Sequence, residues 1–168
     1  MDLDQDGPTR EATVGDIGAV GDVWTQDVHA QGPAAGPGDF AESADELGVR
    51  RDRIAVGGAS AGGGLAAGVV LRAHDEGEVP VAFQLLIYPM LDDRTVVRPG
   101  LDDSACRMWT APSNRFGWGA YLGAEPGVGE VSPYAAPARR DDLTGLPPAW
   151  IGVGSCDLFH DEDVAYAG

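Results

Sequence analysis

Along the first 39 residues, apolar side chains recur with neither a period of 2 nor one of 3.6. Asp, Gly and Pro are frequent there, so this leader reads as poorly ordered. A different pattern begins at Asp39. Phe40, Ala44 and Leu47 fall at i, i+4 and i+7 of a helical stretch that Gly48 can end, and Arg53-Ile54-Ala55-Val56-Gly57 then reads as a short buried strand. Residues 60 to 77 return to the helical period, with Leu65, Ala66, Val69, Val70 and Ala73 on one face and Asp75-Glu76-Gly77 as the stop. The run from Val81 to Tyr88 is nearly continuous in apolar residues, the pattern of a strand covered on both faces in a parallel sheet. Strand, helix and strand at this spacing make a βαβ unit with a right-handed crossover. An irregular stretch from Pro89 to Ala111 leads to a helix over 112–122. Pro147-Pro148 then introduces a third strand, Ala149 to Gly154, and a short acidic helix begins near Leu158. The pattern predicts a parallel α/β sheet with flanking helices, about three strands of which are visible.

Composition agrees with a folded chain: 168 residues suit one domain, and 43% apolar with 23% charged residues is the balance of a globular protein. The charge narrows the partners. Twenty-seven acidic side chains stand against 11 basic ones, all Arg, for a net charge of −16, and a field of that sign repels nucleic acid. The acidity itself reads as a solubility feature. Cys106 and Cys156 have neither a metal-ligand spacing nor a CxxC arrangement, and read as ordinary free thiols. The acidic N-terminus lacks the basic and apolar blocks of a signal peptide, and no window is long enough to span a membrane, which predicts a cytoplasmic chain without a membrane partner.

The strongest local signal is Gly58-Ala59-Ser60-Ala61-Gly62, a G-x-S-x-G between a predicted strand and a predicted helix. A nucleophile held on so tight a strand-to-helix turn has its hydroxyl exposed at the carboxyl end of the sheet. Side chains at 58 and 62 are expected to collide with the neighbouring strand and helix, and the Ala61 N–H to face an oxyanion, helped by the positive helix end. A phosphate-binding loop would need a Lys, which the chain lacks. Gly62-Gly63-Gly64-Leu65-Ala66-Ala67 fits a dinucleotide pattern in letters but starts inside the helix. A packing turn with an incidental Ser stays open on the local pattern alone.

Four separated segments carry more information: Asp52 to Gly63, Phe83 to Pro89, Leu146 to Trp150 and Asp157 to Glu162. In this order they resemble the hormone-sensitive-lipase family of bacterial esterases, α/β-hydrolases, over roughly residues 40 to 168. The resemblance implies Ser60 as nucleophile, with Ala59 where the family more often has Asp. It implies Asp157 as the acid of the triad, in Asp157-Leu158-Phe159-His160-Asp161-Glu162, with Leu158 in place of the usual Pro. A carboxylate at the carboxyl end of a strand can orient an imidazole, and the alternative for Asp157 is a helix N-cap. The family's H-G-G-G oxyanion loop has no counterpart ahead of the elbow, and its catalytic His would follow the acid by one more strand. The fold is thus expected to be truncated at both ends.

None of the three histidines fits the base. His160 stands at the start of the last helix, His74 lies about ten residues and so about 15 Å along a helix from the elbow, and His29 is in the leader. Residues 112–122 correspond to the insertion that helps cover the family's site, and Phe116, Trp118 and Tyr121 there are either packing residues or an acyl pocket. The resemblance implies hydrolysis of a small carboxylic ester through an acyl-enzyme, without metal or organic cofactor. The alternative is a catalytically impaired scaffold, with open sheet edges that promote self-association.

Overall fold

The computed structural model describes residues 42–77 and 79–168, so the predicted leader and His29 lie outside the described residues. A short helix α1 (Ala44–Leu47) ends at Gly48, whose φ of 66° gives the left-handed exit expected of it. Strand β1 (Ile54–Ala59), helix α2 (Ala61–Glu76) and strand β2 (Val81–Ile87) form the βαβ unit. Helix α3 (Ala111–Leu122), strand β3 (Ala149–Gly152) and helix α4 (His160–Ala167) follow. The strand order is β1-β2-β3, all parallel, with Gly58 opposite Leu86 and Leu85 opposite Trp150.

One face of this sheet is packed. Ala66 and Ala67 of α2 meet Leu86 of β2 and Leu91 just beyond it, and Val56, Ile151 and Tyr166 close the cluster. Burying each aliphatic chain of this size contributes about 2 kcal/mol. Helix α2 uses only part of the apolar stripe that periodicity predicts: Ala66, Val70 and Ala73 are buried but Leu65 and Val69 are half-buried, and Gly63, Gly64 and Gly68 are buried as well. The reason is close approach. A Cβ on Gly64 would overlap the Met90 carbonyl and one on Gly68 that of Tyr134, so the helix turns its glycines inward to lie against backbone.

The other face departs from expectation. Gln84 and Leu86 are buried, but the alternate residues Phe83 and Leu85 are 38% and 42% exposed, and Trp150 on β3 is 52% exposed. A continuous apolar run shows that both faces of a strand tolerate burial, not that both are buried. Among the described residues, only one face of β2 is covered.

The stretch predicted as irregular after β2 contains a 3-10 turn, Asp93–Val97, in which Asp93 and Thr95 are buried. Arg139 grips the Asp93 carboxylate with two bonds of 2.8 and 2.9 Å, and the Gly127 N–H donates to it at 2.8 Å. Burial works to raise this carboxyl's pKa, yet Arg139 and the Gly127 N–H together hold it below the usual carboxylate range. Helix α3 packs above, its Trp118 fully buried with Met90, Ala136, Leu158 and Phe159. Thus Trp118 is a core residue, while Phe116 is 78% exposed and Tyr121 about half exposed.

Candidate active site

Because all three strands run the same way, the turns after β1, β2 and β3 leave one edge of the sheet. Ser60 is the first residue after β1 and the last before α2. Its φ of 55° and ψ of −125° put a non-glycine residue in the left-handed half of the map, a strain that persists only where the surroundings over-determine it. Here they do. The Ser60 N–H extends the β1–β2 ladder to the Ile87 carbonyl at 2.9 Å, and the Ser60 carbonyl accepts from Gly63, Gly64 and Met90 N–H groups at 3.0 to 3.1 Å. Ala61, the first residue of α2, has an N–H with no acceptor inside the helix.

The elbow glycines divide differently from expectation. A Cβ on Gly58 would overlap the carbonyl of Gly62, so position 58 admits no side chain. Around the Cβ position of Gly62 there is nothing within 4 Å, and the collision expected there does not exist: only its backbone is approached. The demand falls instead on Gly63, where a Cβ would sit 2.8 Å from the Pro89 ring and 3.1 Å from the Gly58 carbonyl. Sequence reading also missed Tyr88, which leaves β2 at φ 37° beside the elbow and donates its N–H to Gly152 at 2.6 Å.

Asp157 lies five residues beyond the end of β3, on the same edge as Ser60, with β2 between their strands. Two strand spacings separate β1 from β3 by about 10 Å. The Asp157 Oδ1 accepts the Phe159 N–H at 2.9 Å, and the turn is closed by the Asp157 N–H on Gly154 at 3.0 Å. This is a local side-chain turn two residues ahead of Phe159, the N-cap of α4, so Asp157 is not itself the cap.

Neither described histidine joins these two groups. His160 Nδ1 lies 3.1 Å from Asp161 Oδ1, and His74, in the last turn of α2, packs against Gly145. One open cleft is lined by Asp92, Arg94, Arg98, Arg140, Glu162 and Tyr166, and neither Ser60 nor Asp157 borders it.

Two acids just past Asp157, in the helix that sequence reading called only short and acidic, are buried. Glu162, 2% exposed, accepts from the Leu91 N–H at 2.7 Å, the Asp92 N–H at 3.1 Å and the Thr95 hydroxyl, so it pins the segment after β2 to α4. Burial pushes its carboxyl up to about 7 against the opposing pull of those three donors. Asp163, 1% exposed, has no hydrogen-bond partner on either oxygen, and burial, then Glu162 and Asp157, pushes it up to about 8. An acidic pair in a short helix gives no sign in sequence that both members are buried.

Comparison with known proteins agrees with this geometry. A family model described as alpha/beta hydrolase fold matches residues 23–168, beginning inside the stretch that the motif reading left unmatched. The chain is 35% identical over 127 residues to Esterase LipI of Mycobacterium tuberculosis, a match covering 75% of this chain and 39% of that protein. It is likewise 35% identical over 137 residues to Carboxylesterase NlhH of the same species, covering 75% and 40%. Among solved structures, a bacterial heroin esterase superposes with a TM-score of 0.67 at 46% identity, over 76% of this chain and 41% of that one. The esterase LipW from Mycobacterium marinum gives 0.65 at 38%, over 76% and 39%. The chain therefore spans about two fifths of the length of the relatives it matches.

Proposed function

For a chain that belongs to the α/β-hydrolase family, in its hormone-sensitive-lipase-like branch, we propose that it carries the nucleophile and the acid of a carboxylic ester hydrolase working through an acyl-enzyme. The observation that carries this reading is the strained Ser60 on a strand-to-helix turn, held at φ 55° by four backbone hydrogen bonds and close packing around it. The strain has no structural use unless the hydroxyl must be presented.

In this mechanism the Ser60 Oγ attacks the ester carbonyl, its proton passes to an imidazole, and the alkoxide leaves with a proton from that imidazole. Asp157 orients the imidazole, and the Ala61 N–H at the helix entrance stabilises the oxyanion. Gly58, Ala59 and Gly62 complete the elbow. Small esters with short or medium acyl groups are the substrate class, with no cofactor required, and the chain is taken to act in the cytoplasm. No helix among the described residues is long and apolar enough to cross a membrane.

The base is the weak point, since neither described imidazole hydrogen-bonds Ser60 or the Asp157 carboxylate, and removal of a triad member leaves only on the order of 10³ to 10⁴-fold acceleration over water. The isolated chain is therefore expected to hydrolyse p-nitrophenyl acetate barely above buffer. Free imidazole should let a fluorophosphonate probe label Ser60, as read by peptide mass, and should raise hydrolysis above the protein-free imidazole rate in the wild type but not in Ser60→Ala. Imidazole-assisted hydrolysis that is equal in Ser60→Ala, with no labelled Ser60, would favour the scaffold reading. A fast reaction abolished by Ser60→Ala would mean that a base is present, and substituting His29, His74 and His160 in turn would find it.

A further inference from the structure

The two cysteines are 50 positions apart in sequence and adjacent in space. Cys106 Sγ lies 3.6 Å from the backbone oxygen of Cys156, whose own thiol branches from the neighbouring Cα. Each residue sits on a tight turn of fixed backbone: the Cys106 N–H donates to Asp103 at 2.9 Å, and the Asp157 N–H closes the turn around Cys156. Cys106 is partly buried against the Trp118 cluster, and Cys156 is exposed at the carboxyl edge of the sheet, next to the candidate acid. From this juxtaposition we propose that Cys106 and Cys156 form a reversible intramolecular disulfide that clasps the Asp157 turn to the segment before α3.

The reaction needs an oxidant, and a low-molecular-weight disulfide such as oxidised glutathione has the right chemistry. The exposed Cys156 thiolate attacks one of its sulfurs, forming a mixed disulfide and releasing one thiolate. Cys106, having lost its proton, then attacks the Cys156 sulfur and releases the second. Two cysteine thiols are oxidised and one external disulfide is reduced to two thiols. Cys106 is the slower partner: burial raises its pKa, as do the neighbouring Asp103, Asp157 and Asp102 and the Cys156 sulfur itself.

The whole chain, equilibrated with glutathione redox buffers and digested with trypsin without reduction, tests this. The expected product is the peptide Thr95–Arg107 joined to Asp141–Gly168, from a monomer lighter by two hydrogens. The equilibrium constant for the link should be at least about tenfold larger in buffer than in concentrated urea, where the fold no longer holds the thiols together. Cys106→Ser and Cys156→Ser should each take up a single glutathione and give no joined peptide. Stable glutathione adducts on both cysteines of the wild type, a link between two chains, or a constant equal in buffer and urea would each overturn the proposal.

Discussion

The turns after β1 and β3 leave the same edge of one sheet, yet they are held by opposite means. The elbow at Ser60 is fixed by backbone against backbone, with glycines wherever a side chain would intrude and the Ser60 carbonyl taking three N–H groups. The Asp157 turn is fixed by side chains: its own carboxylate on the Phe159 N–H, and buried Glu162 on Leu91, Asp92 and Thr95. Backbone fixation depends on volume and is indifferent to pH. Side-chain fixation depends on charge state, and Asp163 adds a buried carboxyl with no partner.

Gly58→Ala should break the first region outright, because the new Cβ overlaps the Gly62 carbonyl, a backbone atom that cannot yield. A loss of about 3 kcal/mol or more is expected, read as a collapsed urea midpoint. Glu162→Ala tests the second region by stranding two N–H groups and a hydroxyl. It should cost about 3 kcal/mol, with faster hydrogen exchange at Leu91 and Asp92.

Asp163→Asn sharpens the contrast in pH. The folded carboxyl is raised from its ordinary 3.8 to about 8, so its contribution to stability is fully present below about pH 4 and is lost as pH rises through about 8. Urea midpoints of the wild type should fall across that window, and Glu162, raised to about 7, adds to the fall. Asp163→Asn should remove its share and be more stable by about 2 to 4 kcal/mol at pH 8. Equal slopes in wild type and variant would mean that Asp163 is solvated. The smallest effect belongs to Gly62→Ala, which enters open space on a helix: it should be neutral or stabilise by about 0.5 to 1 kcal/mol.

The same contrast explains what could be read in advance. Strand, elbow, helix and strand are local in sequence, and β1, α2, β2, α3, β3 and α4 all appear within a few residues of their predicted bounds. G-x-S-x-G marks its turn because the glycine at 58 meets a residue only four positions away. Gly64 and Gly68 answer to Met90 and Tyr134, distant partners that no local pattern names, so the glycine part of α2's buried face was not foreseen. Nothing local marked Glu162 as buried, because its partners lie about seventy positions upstream. The exposed face of Phe83 and Leu85 was hidden by their own hydrophobicity, which signals what a residue can pack against and not whether anything does.

The glycine run at the start of α2 also has a bearing on the order in which the chain folds. Gly62, Gly63 and Gly64 each disfavour helix by about 1 kcal/mol relative to Ala, so the first turn cannot nucleate the helix. Nucleation falls to the stretch from Leu65 onward, and the helix winds back toward Ser60 only when Met90 and Ile87 offer backbone partners. Those partners exist once β2 has docked. The folding transition state should therefore contain the distal helix and the β1–β2 pair, with Ser60 still free of its strain, and the nucleophile turn should be the last part of the βαβ unit to form and the first to open.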